Sequence, residues 1–216
     1  MNEPWPTGMR EVLGDLVFGE SARWPSLWLC DWGTGEVIVV PAERKRETVL
    51  QVDSYPLCID WVSDGRLLAV AGGDARVLRM EPDGSIVPYA DLNGVSAEVW
   101  NEIAVDPNDT AFVNGGPGVI AAINRDGTVR QVADGLAWPN GMVVTPDGST
   151  LIVAESHAHQ LTAFDITPSG DLVGQRVRAD LGDDSPPTAS ASTPMVPSGM
   201  PTSHIDAADE YASAAT

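Results

Sequence analysis

Short apolar runs alternate along the chain with turns rich in glycine, proline and aspartate, and no stretch carries the spacing of an amphipathic helix. The pattern predicts strands, grouped into similar units. In the first unit, a strand from Glu11 to Phe18 precedes a hairpin of Leu27 to Asp31 and Glu36 to Val40, closed by Gly33-Thr34-Gly35. The second unit holds Leu57 to Trp61, Leu67 to Ala71, Arg76 to Met80 and Ser85 to Tyr89. The third holds Asn101 to Val105, Ala111 to Val113, Val119 to Asn124 and Thr128 to Val132. The fourth runs from Asn140 through Met142 to Val144, then Leu151 to Ala154, Gln160 to Ile166 and Asp171 to Val177.

Turn markers recur at Asp64, Asn108 and Asp147, and a second set at Asp83, Asp126 and Ser169, a spacing of about 40 to 45 residues. That is the period of a four-stranded propeller blade. A β-sandwich also has many short strands, but nothing in it requires two turn signatures to repeat in the same order in each unit. The fold expected is an all-β propeller.

Residues 1–10 carry two prolines and a glycine and read as a lead-in, 11–182 as the propeller, and 183–216 as a tail. After Arg178 there is no Lys or Arg, and after Gly182 only Val196 and Ile205 remain among Val, Ile, Leu and Phe. Such a composition buries too little apolar surface to offset ordering entropy, so the tail is expected to be disordered.

Composition narrows the partners. The 216 residues suit one domain. The formal charge of −19 repels nucleic acid and anionic membrane surfaces. The two cysteines, Cys30 and Cys58, lie in apolar runs and read as buried thiols rather than a bridge or zinc site. No apolar run approaches the roughly 20 residues of a membrane span, and no basic start precedes an apolar stretch, so a cytoplasmic location is expected.

Candidate chemistry gathers in Trp138-Pro139-Asn140-Gly141, ahead of the fourth unit's strands. Pro139 bends the backbone and Gly141 frees it, which lets the Asn140 amide aim into a shared central space; the same pair also serves as an ordinary turn. Glu20, directly after Gly19, holds the matching position in the first unit, where a solvated loop carboxylate is the bland alternative. Asn101 opens the third unit and reads equally as a strand-end turn. Glu155-Ser156-His157 fails as a hydrolase triad, because neighbours on a strand point to alternating faces and no nucleophile elbow surrounds the serine. His157 and His159 share a face if the strand continues, as a surface metal pair, or else sit exposed at a hairpin end. The seven tryptophans read as packing between blades.

Gly19-Glu20-Ser21 with Trp24, the pair Asn101-Glu102, and Trp138-Pro139-Asn140-Gly141 with Thr145-Pro146-Asp147-Gly148 resemble the family of senescence marker protein (regucalcin), gluconolactonase and luciferin-regenerating enzyme. The resemblance runs from about Val12 to Asp180. It implies a six-bladed propeller, with about four blades present here. It further implies one divalent metal ion (calcium, magnesium, manganese or zinc) in the central channel and hydrolysis of sugar lactones or related cyclic esters. By matching motif, Glu20 and Asn140 are the implied metal ligands and Asn101 the implied substrate contact.

Three departures from the family pattern stand out. Ala22 replaces a proline, Val99 replaces an arginine two residues before Asn101, and the aspartate of a Pro-Asp-Gly opening to the fifth blade is missing. With that aspartate gone the catalytic base is unknown, which counts against activity in this chain. Codons from Pro187 to Ser203 read in a shifted frame admit a strand-like segment opening Asp-Gly, so a frameshift near Ser185 to Pro187 is predicted. An open propeller would expose raw edges and self-associate. A non-catalytic propeller binding module and a calcium-binding protein without turnover are the rival readings.

Overall fold

A computed structural model describes residues 13–24, 26–41, 45–116, 118–182 and 187. All of the expected lead-in, and the expected tail and frameshift apart from Pro187, lie outside the described residues. Among the described residues sixteen strands form four antiparallel sheets, each ordered as its strands follow in the chain. Blade 1 is β1 (Gly19–Arg23), β2 (Leu27–Asp31), β3 (Glu36–Val40) and β4 (Glu47–Gln51). Blade 2 is β5 (Leu57–Trp61), β6 (Leu67–Ala71), β7 (Arg76–Met80) and β8 (Ile86–Asp91). Blade 3 is β9 (Trp100–Val105), β10 (Ala111–Gly115), β11 (Val119–Ile123) and β12 (Val129–Ala133). Blade 4 is β13 (Pro139–Val144), β14 (Thr150–Glu155), β15 (Gln160–Ile166) and β16 (Leu172–Asp180). The fold is that of a β-propeller, with β1, β5, β9 and β13 meeting one another in succession.

Middle strands of blades 2 and 3 are mostly apolar because a blade lies against each face. Leu67–Ala71, Ala111–Gly115 and Val119–Ile123 are buried throughout, whereas the outer strands β12 and β16 have no fully buried residue. Three hydrophobic cores fill the gaps between successive blades. Cys30, Val37, Leu57, Ile59 and Leu67 join blades 1 and 2; Cys58, Val70, Trp100, Ile103 and Val113 join blades 2 and 3; Phe112, Ile120, Met142, Leu151 and Val153 join blades 3 and 4. Trp28 meets Trp61 edge to face across the first gap, at 5.2 Å between ring centres, and Trp100 is buried between blades 2 and 3, but Trp24 and Trp138 are exposed, so the inter-blade packing expected of the tryptophans holds for only some of them. Both cysteines are free and buried.

Four of the six repeated turn markers share one mechanism. The carboxylates of Asp64, Asp83, Asp126 and Asp147 each accept the backbone N–H two residues on, and the glycine between takes a positive φ. In the third unit Asp109 takes the left-handed conformation itself. Its carboxylate, buried, accepts from the Ser63 N–H at 2.5 Å and tethers blade 3 to blade 2.

The first unit departs from expectation. The inner strand is Gly19–Arg23, not Glu11 to Phe18; of that range, Glu11 and Val12 lie outside the described residues and 13–18 form no strand. The cause is Asp31, whose carboxylate takes the N–H groups of Val17 and Phe18, each at 2.9 Å, so they do not join a ladder. The fourth strand, Glu47–Gln51, has Leu50 as its one buried residue, and so shows no apolar run in the sequence.

Candidate functional site

The inner strands of blades 1, 3 and 4 share a defect. β1 pairs Glu20 with Cys30 and Arg23 with Trp28, which sets Ser21 and Ala22 against Leu29 alone. β9 pairs Trp100 with Gly115 and Ile103 with Val113, setting Asn101 and Glu102 against Asn114. β13 pairs Pro139 with Glu155 and Met142 with Val153, setting Asn140 and Gly141 against Ala154. Each is a bulge of two residues against one, a device that redirects side chains out of the regular pleat. Ser21 has a φ of 52° within its bulge. In blade 2, β5 pairs with β6 without interruption, and buried Cys58 stands where the other blades carry Glu20, Asn101 and Asn140. Three of four blades therefore present a polar side chain at one level of the axis.

Asn101 and Asn140 are in direct contact: Asn101 Nδ2 donates to Asn140 Oδ1 at 3.2 Å. Asn114, fully buried, locks both bulges. Its Nδ2 donates to the Asn140 carbonyl at 2.5 Å and its Oδ1 accepts from the Glu102 N–H at 3.3 Å. The sequence reading missed Asn114; the signal was an amide closing the otherwise apolar Ala111-Phe112-Val113. Asn140 Nδ2 donates to Ser156 Oγ at 3.4 Å, and Ser156 Oγ donates to the Pro187 carbonyl at 2.5 Å.

Glu20 stands at the matching position of β1, paired with Cys30 and close enough to Glu102 for the two carboxylates to repel. Among the described residues no hydrogen bond joins Glu20 to either asparagine. Burial first, and then the charge of Glu102, push the Glu20 carboxyl above the usual carboxylate range, with a hydrogen bond from the Ser21 backbone opposing. Glu102 Oε1 accepts from Arg23 Nη2 and from the Ile103 N–H, both at 2.9 Å, and from Ser21 Oγ at 3.5 Å. Arg23, 7% exposed, also donates to the Ile103 carbonyl at 3.1 Å, while its Nε has no partner among the described residues. Burial works against the Arg23 charge, but Glu102 and then Asp60 outweigh it and hold the guanidinium protonated well above its ordinary value. Burial raises the Asp60 carboxyl, and Arg23 with the Val105 and Trp61 N–H groups eases it.

Ser156 and His157 form no triad with Glu155. Glu155, 3% exposed, takes the Ala137 N–H at 2.6 Å and the Thr162 hydroxyl. His157 stacks on Trp138 instead. His157 and His159 lie in the turn after β14, so the strand that would align them does not continue.

The donors suit a hard divalent cation in kind, being one carboxylate and two amide oxygens. In number they fall short of a closed cage. Among the described residues no three His, Cys, Asp or Glu side chains gather to hold a metal. Of these donors, Glu20 and Asn140 could contribute ligands to such an ion, with other ligands completing its shell. No helix among the described residues is long and apolar enough to cross a membrane.

A radial β fold with oxygen donors at the bulged ends of its inner strands defines a propeller with an axial polar site. Residues 18–214 match the SMP-30/Gluconolactonase/LRE-like region, and the chain belongs to that family. A gluconolactonase from Xanthomonas campestris is similar in structure, with a TM-score of 0.65 and 18% identity over 81% of this chain and 66% of that one. The calcium-binding protein regucalcin from Agrobacterium tumefaciens C58 gives 0.64 and 16% over 76% and 60%. Virginiamycin B lyase from Staphylococcus aureus gives 0.56 and 18% over 72% and 53%. The chain thus spans less than two thirds of the length of these relatives. At such identities the likeness shows the fold alone. No curated protein sequence matches the chain.

Proposed function

We propose that this chain carries the donor end of a metal-dependent, gluconolactonase-like site that opens sugar lactones or similar cyclic esters. The observation behind the reading is the contact of Asn101 with Asn140 at two bulged strand ends, with Glu20 at the equivalent position of β1. In it Glu20 and Asn140 hold the ion and Asn101 orients the substrate. A divalent cation bound there would supply Lewis acidity toward an ester carbonyl. Asn114 fixes the backbone of both bulges and Ser156 holds the Asn140 side chain, so the Asn140 amide oxygen needs little reorganisation when a ligand arrives. The partner is a small lactone; a charge of −19 argues against nucleic acid and anionic membrane.

One observation favours binding without turnover, by a calcium-binding protein or a propeller binding module. The other axial carboxylates are engaged, Glu102 by Arg23 and Asp60 by the N–H groups of Val105 and Trp61. The test is hydrolysis of an aldonolactone panel by the full chain, with added divalent ions and after chelation. The hydrolase reading requires turnover that needs metal and that Asn140→Ala lowers at least about a hundredfold, the scale of losing one preorganised group at the reacting centre. Saturable metal binding with no turnover would establish the second reading instead.

A further inference from the structure

Pairing sets Gly19, Leu57, Trp100 and Pro139 at one level, opposite Asp31, Ala71, Gly115 and Glu155. The residue before each makes the same backbone bond: the carbonyl of Phe18 accepts from Trp32, Pro56 from Gly72, Val99 from Gly116 and Trp138 from Ser156, at 2.8, 2.8, 2.6 and 3.1 Å. These positions are therefore equivalent. In the three blades that carry Glu20, Asn101 and Asn140, the residue two places earlier is large, apolar and exposed: Phe18 at 53%, Val99 at 50% and Trp138 at 60%. Exposure of single hydrophobic residues is ordinary; its recurrence at one equivalent position beside each polar donor is not.

Both aromatic rings are held in place. Trp138 has a φ of 60°, a left-handed conformation that is a genuine outlier for a bulky side chain and that persists where surrounding contacts over-determine it. Its ring stacks on His157, with centres 4.9 Å apart and planes at 24°. The Ala137 N–H bonded to Glu155 and the His157 N–H bonded to the Ala137 carbonyl at 3.2 Å fix the two segments that carry the rings. Phe18 lies edge-on to Trp32, whose Nε1 donates to the Leu57 carbonyl at 2.6 Å. Rings already immobilised lose little freedom when a ligand packs on them.

We infer that Phe18, Val99 and Trp138 form an apolar collar over the donor residues, and that the ligand is a cyclic ester with an alkyl or aryl face rather than a polyhydroxylated sugar lactone. Sugar hydroxyls against this collar would leave water without gaining partners from these three side chains, at a cost for each. An alkyl or aryl face would gain from the same desolvation. The words cyclic ester rest on the hydrolase reading above; the collar does not.

The test separates the two by measuring binding apart from turnover. Calorimetric titration of the full chain compares a phenyl-substituted δ-lactam with the polyhydroxylated δ-lactam of the same ring size. The aryl lactam should bind about tenfold tighter or more, and Trp138→Ala should remove about tenfold of that while Trp138→Phe keeps most of it. Val99→Arg should narrow the gap from the other side. If Trp138→Ala fails to fold, Phe18→Ala and Val99→Ser carry the same expectation. Equal or tighter binding of the polyhydroxylated lactam, failure of both to bind, or a change of oligomeric state in Trp138→Ala with lactam affinity unaltered would each overturn the collar. Collar-dependent binding without hydrolysis of the matching lactone would overturn the hydrolase reading and leave the collar standing.

Discussion

At the scale of single residues, Arg23 is the one buried cation among the described residues. Arg23 joins blade 1 to Glu102 and the Ile103 carbonyl of blade 3, and its charge eases the burial of Asp60 in blade 2. The Arg23 and Glu102 side chains are 6% and 14% exposed, so neither is well hydrated if the other leaves. Arg23→Ala should destabilise the chain by about 3–5 kcal/mol, the range for leaving one partner of a buried pair uncompensated. Urea unfolding checks this, and Arg23→Met with Glu102→Gln should recover most of the loss. A double variant as unstable as Arg23→Ala would refute it. Little of this network could be read from the chain. Arginine and glutamate nearly eighty residues apart (Arg23 and Glu102) carry no mutual signal in sequence, and Asn114 falls just past the predicted Ala111 to Val113 strand.

At the scale of elements, legibility followed the turns. Blades 2, 3 and 4 could be read because each carries Asp-Gly or related turns whose side chains close the loop locally, so sequence neighbours supply the whole interaction. Blade 1 resisted because a distant group decided it: the Asp31 carboxylate withdraws the N–H groups of Val17 and Phe18 from pairing. The bulges were equally hidden, since a register shift is a property of two strands. The turn between β6 and β7 shows how closely blades approach. A Cβ on Gly72 would lie 2.0 Å from the Trp100 carbonyl oxygen and 2.8 Å from that of Pro56. Both obstacles are backbone, so neither can swing aside. Gly72→Ala should therefore cost more than about 2 kcal/mol, by forcing blades 2 and 3 apart or bending β5. A thermal midpoint close to that of the parent chain would contradict this.

At the scale of the whole molecule, four blades share three hydrophobic cores. Among the described residues, blades 2 and 3 have a core on each side and blades 1 and 4 on one. Stability in such arrays is roughly a sum over units and their interfaces. Amide exchange should then be slowest in β6, β10 and β11 and faster in the strands of blades 1 and 4, including their buried ones. Uniform protection across all four blades would mean that the single-sided faces are covered, by residues outside those described or by a second chain. Concentration-dependent sedimentation distinguishes these two and tests the proposed self-association.

Blade 2 alone breaks the axial pattern, with a regular β5 and a buried thiol at Cys58. At the level of Glu20, Asn101 and Asn140 the polar groups of the described blades thus lie on one side, with the Cys58 thiol between them. A ligand seated against that level would be oriented by the asymmetry. A molecule with one hydrophilic edge has a single favoured way to sit, whereas a symmetric polyol has none.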